Sequence, residues 1–200
     1  MDQVRPRQPA DIDACVRALA HVHAHDGYPA DWPADPGGWL TPDRRTGAWV
    51  AVLDGRAVGH VALSEPGEGD LAAALRGAGP TAVVGRLFVD PAARGRGLGA
   101  RLVERAVREA RERGAHPVLD VLPGDRAAIA LYERLGWRRI GTGEQEWGPG
   151  RKVTVHCYAA PAAGPLPGPL PGPLAGPLPG LAGPPNAMAP GRGHDQGPTA

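Results

Sequence analysis

The sequence predicts a mixed sheet protein of the α/β (α+β) class. Strand patterns follow one another in the first half, and a strand–helix–strand–helix alternation fills the second. One hairpin is marked outright: residues 49–53 and 56–63 are apolar runs separated only by Asp54-Gly55, a turn pair that tolerates the positive φ values a tight hairpin requires.

Each element follows from local pattern. Residues 4–6 read as a short first strand. Asp11 is placed to cap a helix on which Ile12, Val16, Leu19 and Val22 recur at helical spacing. Residues 26–47 are rich in Pro, Gly, Asp and Trp and read as an ordered loop with at most a short helix, anchored by Trp32 and Trp39. Residues 65–80 form a polar, Gly-rich connection with room for a short helix. Residues 83–89 are a strand, ended by Asp90-Pro91. Leu98, Leu102, Val103, Ala106 and Ala110 share one side of a helix over 98–113, which Gly114 stops. Residues 117–122 are a strand. Asp125 is placed to cap a second helix, with Gly136 as its C-terminal stop. Residues 137–140 and 152–158 are the last two strands.

Composition narrows the function. The 22 basic and 21 acidic residues nearly cancel, which leaves no electrostatic footprint for nucleic acid or an anionic membrane. Cys15 and Cys157 lack metal-type spacing and read as reduced thiols. The N-terminus has no apolar signal-peptide core and no window is long enough to span a bilayer. The expectation is a soluble, cytoplasmic protein, monomer or homodimer, with no nucleic-acid and no membrane partner.

The chain divides near residue 160. From Gly164 it reads GPLP-GPLP-GPLA-GPLP, and 12 of the 24 prolines lie from Pro161 onward. Proline at that density removes backbone donors and blocks helix and central strand alike. Residues 1–160 are therefore expected to be the folded domain. Residues 161–200 are expected to be a disordered tail of polyproline II character, either passive or a docking peptide.

The densest chemical signal lies over residues 87–101, where a strand runs into a Gly-rich turn that opens a helix. Gly95, Gly97 and Gly99 let backbone approach a ligand, the helix N-terminus favours an anion, and Arg94 and Arg96 flank the turn. This is a cradle for pyrophosphate. A P-loop would need Lys-Ser/Thr after the last glycine, where Ala100-Arg101 stand. A dinucleotide fingerprint would need G-x-G-x-x-G, where G-x-G-x-G stands.

The remaining pattern, Arg94-x-x-Gly97-x-Gly99, resembles that of the GCN5-related N-acetyltransferase (GNAT) family. A second stretch, LDVLPGDRAAIALYERLGW over 119–137, is similar to the family's later motif, except that Asp125 replaces the usual Asn. The resemblance covers about residues 48–158. It implies a mostly antiparallel central sheet with helices on both faces, the acyl-CoA N-acyltransferase-like fold. It also implies acetyl transfer from acetyl-CoA, as acyl-donor co-substrate, to a primary amine without a covalent enzyme intermediate.

The same resemblance assigns roles. Leu87, Phe88 and Val89 would pair with the pantetheine arm, and an amide near Val89 would polarise the acetyl carbonyl. Arg94, Gly95, Arg96, Gly97, Leu98, Gly99 and Ala100 would hold the pyrophosphate. Asp125 would accept a hydrogen bond from the pantetheine arm. Tyr132 would contact the coenzyme and protonate the leaving thiolate; the competing reading is a core tyrosine. Asp120, the lone charge in an apolar strand, would be the general base; pairing with an arginine competes. Val83 and Val84 stand where many relatives carry a carboxylate.

His25, Asp26, Tyr28 and Trp32 are candidates for the acceptor wall, holding a cationic amine by charge and ring face. His21 and His25 have metal-compatible spacing, but no third ligand follows, so no metal is expected. The leading function is acetylation of a small-molecule or amino-acid-like amine. Alternatives are a protein N-terminal or lysine acetyltransferase, or a non-catalytic acyl-CoA sensor.

Overall fold

The computed structural model describes residues 3–77, 79–146 and 151–162. Among these, the strands are β1 (Gln3–Pro6), β2 (Arg45–Leu53), β3 (Arg56–Ser64), β4 (Thr81–Val89), β5 (His116–Val121), β6 (Arg138–Glu146) and β7 (Lys152–Ala159). The helices are α1 (Ile12–Asp26), α2 (Pro36–Trp39), α3 (Leu71–Arg76), α4 (Leu98–Glu112) and α5 (Arg126–Arg134). The strands form a single mixed sheet in the order β1-β2-β3-β4-β5-β7-β6. Asp54 (φ 50°) and Gly55 (φ 78°) form the β2–β3 turn where the Asp-Gly pair predicted it.

Strand alternation sorts side chains onto two faces. Trp49, Ala51, Val61, Leu63, Val84 and Leu119 face α4, whose Leu98, Leu102, Val103, Ala106 and Val107 complete the largest core cluster. Val50, Val52 and Phe88 face the other way, against Cys15, Leu19 and Val22 of α1. Val118, Val155 and Cys157 also take that second face, under Ala72 of α3. Helices thus cover both faces, with α1, α2 and α3 sharing one of them.

Every strand pairing but one is antiparallel. The exception, β4 with β5, is parallel and pairs only Thr81, Ala82 and Val83 with His116, Pro117 and Val118. Beyond that point β4 stays on β3 and β5 stays on β7. The sheet therefore splays open between the C-terminal halves of β4 and β5. This is the carboxyl end of two parallel strands, where open sheets place ligands.

Several local expectations are corrected. Neither Asp11 nor Asp125 caps its helix through the side chain. Asp11 instead takes two hydrogen bonds from the Arg5 guanidinium, at 2.7 and 2.8 Å, because a 3-10 turn over Pro9–Asp11 precedes α1. Trp32 anchors no core cluster; it is 40% exposed with its ring on His23. The last described residues pack on the domain. Ala160 is buried and its amide bonds Pro117 O, while Pro161 O accepts from Arg111 at 2.7 Å. The repeat beginning at Gly164 lies outside the described residues, as does nearly all of the expected tail.

Candidate active site

Strand β4 carries a bulge. Its register on β3 shifts between His60 and Ala62, so Arg86 takes φ 51°, uncommon for a residue with a Cβ. Buried His60, itself held by Arg7, keeps it there. His60, fully buried, bonds Arg86 O through Nδ1 at 3.0 Å, and Arg7 Nη1 bonds His60 Nε2 at 3.1 Å. Because Arg7 can only donate, Nε2 accepts and the ring proton sits on Nδ1. The His60 ring also stacks on Phe88, 5.5 Å between centroids.

Burial pushes the His60 pKa down to about 3, with Arg7 and Arg86 adding to the shift against the bond to Arg86 O. The folded protein thus keeps His60 neutral, while the unfolded chain binds its proton below about pH 6.5. Stability is fully present above pH 6.5 and falls as pH drops toward 3. Between pH 6.5 and 4.5 the His60 contribution is roughly 2–3 kcal/mol. Urea unfolding of a His60→Asn protein should show a loss smaller by about that amount than wild type over the same interval. Equal losses in the two proteins would place the pH sensitivity elsewhere.

After β4, Asp90 accepts from Ala92 N–H in a 3-10 turn, and the chain enters the glycine loop. Gly95 and Gly97 have φ of 78° and 73°, which explains glycine at both. Gly97 is the N-cap of α4, and no side chain caps the helix. The first intrahelical bond runs from Arg101 N–H to Gly97 O, so the amides of Leu98, Gly99 and Ala100 precede the ladder and point outward. The Leu98 side chain belongs to the core, which leaves only its amide for a ligand. A Cβ at Gly99 would meet Leu131 Cδ2 at 3.3 Å, so here glycine serves close packing of α4 on α5. The arrangement fits a pyrophosphate, with bare amides at a positive helix end.

Arg94 is already oriented. Its Nε donates to Val89 O at 3.1 Å, and its terminal nitrogens pair with Asp26 at the end of α1. Asp26 also accepts from His25. The Arg94 pair, with His25 second, holds the Asp26 carboxyl below its ordinary range. Asp26 is thus committed to Arg94, with exposed His25 beside it. His21, His25 and Asp90 line a shallow, open hollow of about 450 Å³ beside it.

Tyr132 of α5 is 5% exposed, with its ring on Trp137 at 5.6 Å between centroids. Among the described residues its hydroxyl has no hydrogen-bond partner, yet it is not sealed from solvent. Its ring belongs to the α4-side core cluster, as the core reading expects, while its hydroxyl bonds to no described residue. Burial raises the Tyr132 pKa above the ordinary phenol value, helped by Tyr28 and then Asp125. Tyr28 shows the same upward shift from burial, opposed by Arg86. Tyr28 and Asp125 thus act electrostatically on Tyr132, and Arg86 acts on Tyr28. Asp125 is half-buried, and its pKa is raised by burial and by Asp26.

Asp120 points to the face opposite the α4 cluster that holds Leu119, Val121 and Tyr132. Among the described residues no arginine, its alternative partner, bonds it. Asp120 Oδ1 accepts from Ala72 N–H at 3.0 Å and Oδ2 from Gln145 Nε2 at 2.7 Å. The Cys157 thiol also bonds it, and burial raises the Asp120 pKa despite these donors. Burial in turn pushes Cys157 up to about 12 and Cys15 up to about 11, so both stay thiols.

Of the four acceptor-wall candidates, Trp32 and His25 face solvent, and Tyr28 packs against the α1 cluster and Trp39. Arg86 joins Tyr28 and Trp39 there. Arg86 donates to Trp39 O and lies 5.0 Å over its ring, and Tyr28 meets that ring edge-on at 6.1 Å. A sequence signal existed: Arg86 is the single charge inside the apolar run VVGRLFV.

Comparison with known proteins agrees with this geometry. The model of the Acetyltransferase (GNAT) family matches residues 16–137. A mycothiol acetyltransferase of Acidothermus cellulolyticus is 34% identical over 152 residues, 70% of this chain and 46% of that protein. An uncharacterized N-acetyltransferase of Methanocaldococcus jannaschii is 33% identical over 100 residues, 50% of this chain and 42% of that protein. The chain thus spans less than half the length of the curated relatives it matches. The ribosomal-protein-S18-alanine N-acetyltransferase of Escherichia coli superposes with a TM-score of 0.59 at 21% identity, over 80% of this chain and 94% of that one. NAA60 of Arabidopsis thaliana, solved with acetyl-CoA, gives 0.59 at 20% identity over 80% and 98%. The splayed sheet, the glycine cradle and the matched family model lead to one conclusion: the chain belongs to the acetyltransferase (GNAT) family.

Proposed function

We propose that the protein transfers an acetyl group from acetyl-CoA to the primary amine of a small, amino-acid-like molecule. The observation that carries this reading is the glycine cradle, whose bare amides open α4 directly after the half of β4 that has left β5. NAA60 of similar fold was solved with acetyl-CoA, which supports that donor. Outward amides at 98–100 and Arg94 hold the pyrophosphate. The open edge of β4 at 87–89 pairs with the pantetheine arm, and an amide there polarises the thioester carbonyl. The acceptor nitrogen attacks the carbonyl carbon, the carbon–sulfur bond breaks, and Tyr132 returns a proton to sulfur.

A bounded pocket is favoured over an open peptide groove. Asp31 of the α1–α2 loop pairs with Arg151 beside β7, joining two rims of the acceptor face. The direct test is thiol release from acetyl-CoA against a panel of primary amines. Transfer to none of them overturns the proposal.

Asp120 serves as general base in this reading, with its raised pKa suited to the task. Tyr132 lies on the far side of β5 from it, so acid and base flank the splay. An Asp120→Asn protein keeps an oxygen for Ala72 N–H and loses the anion. Turnover should fall roughly 100- to 10,000-fold, while the melting temperature drops only by what the lost Gln145 bond contributes. Turnover within about threefold of wild type, against that expectation, would reduce Asp120 to an anchor for α3.

A further inference from the structure

We infer that Arg86 recognises a carboxylate on the acceptor, so that the molecule acetylated is an amine bearing an acid group close by. The inference rests on the acetyl-transfer reading and goes beyond it by naming the acceptor's class. Arg86 has no carboxylate partner among the described residues, although it is partly buried. Only Nε is used, toward Trp39 O, and the guanidinium lies flat over the Trp39 ring. Both terminal nitrogens are left without partners among the described residues, and neither is sealed from solvent. A guanidinium held flat presents a planar fork matched to a carboxylate.

Its placement is fixed by the backbone. The φ of 51° and the His60 bond to Arg86 O set the side chain against Trp39, one residue before the strand segment 87–89. A backbone outlier kept in place by a buried histidine is the kind of feature found at ligand clamps. Burial lowers the Arg86 pKa, and Tyr28 and Asp70 oppose that shift. A zwitterion fits, with its acid on Arg86 and its amine left for the thioester. A single cation balances a monoanion, whereas a dianionic phosphate would leave one negative charge uncompensated at Arg86.

The test compares free α-amino acids with their α-carboxamides, for example leucine with leucinamide and tryptophan with tryptophanamide, using wild type, Arg86→Gln and Arg86→Lys. Wild type should favour the acids in kcat/KM by roughly 10- to 100-fold, through KM. Arg86→Gln, which retains a donor for Trp39 O, should bring the ratio near one. Arg86→Lys should restore part of it, and acetyl-CoA affinity measured by calorimetry should not move. Wild type acetylating acids and amides alike would overturn the inference and leave acetyl transfer standing. An equal fall for both classes in Arg86→Gln, with a lower melting temperature, would also overturn it by making Arg86 a structural clasp. Faster transfer to aminomethylphosphonate than to glycine would overturn the carboxylate assignment. Transfer to no amine at all would overturn the acetyl-transfer reading and the inference with it.

Discussion

Replacing Tyr132 with phenylalanine is expected to slow acetyl transfer by roughly 100- to 10,000-fold while acetyl-CoA affinity stays within about twofold of wild type. The substitution keeps the ring on Trp137 and removes only a hydroxyl that bonds to no described residue. Loss of packing or of a buried hydrogen bond therefore contributes little, and the melting temperature should hold. With its pKa raised by burial, Tyr132 keeps its proton until negative charge grows on the leaving sulfur. The measurement is single-turnover transfer to an amine identified by thiol release. A rate within about twofold of wild type, far from the expected loss, would mean that water delivers the proton or that chemistry does not limit the step. Solvent isotope effects on the two proteins separate those cases.

The two features that define the site's donor side were legible because each is local. The glycine loop sits between a strand and a helix that contiguous periodicity reveals, and the motif around Tyr132 is a single stretch of chain. The hairpin followed from its turn residues for the same reason. The acceptor side was less legible because it is assembled from distant segments. Asp26 was free in sequence but lies 68 positions from the Arg94 that takes it. The alternative reading paired Asp120 with an arginine, yet α3, inserted between β3 and β4, offers it a backbone amide 48 positions away. Trp39 and Arg86, 47 positions apart, meet only because α2 folds over the β4 bulge. The bulge itself is invisible to alternation counting, since one extra residue in an apolar strand changes which side chain faces which helix. His60 within VGHVAL and Arg86 within VVGRLFV carried the available warning: a polar side chain inside an apolar strand has to be satisfied or used.

The donor and acceptor sides share parts. Arg94 anchors on Val89 O and on Asp26 at the end of α1, and α1 leads directly into the loop carrying Tyr28 and Trp39. A change in the glycine loop is therefore separable from the acceptor wall only when Arg94 keeps its two anchors.

Gly97→Val meets that condition and is expected to weaken acetyl-CoA binding at least about a hundredfold. A Cβ at position 97 would touch nothing within 4 Å, so the effect does not come from a clash inside the protein. It comes from the φ of 73°, which a β-branched residue resists. The left-handed conformation costs a residue with a Cβ roughly 1–2 kcal/mol, and the exposed loop can escape by rotating 97 out of it. Rotation turns away the amides that start α4, and each charge-assisted hydrogen bond lost to phosphate is worth roughly 1.5–3 kcal/mol. Two such bonds account for the predicted loss. Leu98 and Leu102 remain buried beneath, so the melting temperature should change by little. Calorimetric affinity for coenzyme A within threefold of wild type, against that hundredfold expectation, would show that the α4 amides do not hold the pyrophosphate. A large drop in melting temperature would show instead that Gly97 serves the fold.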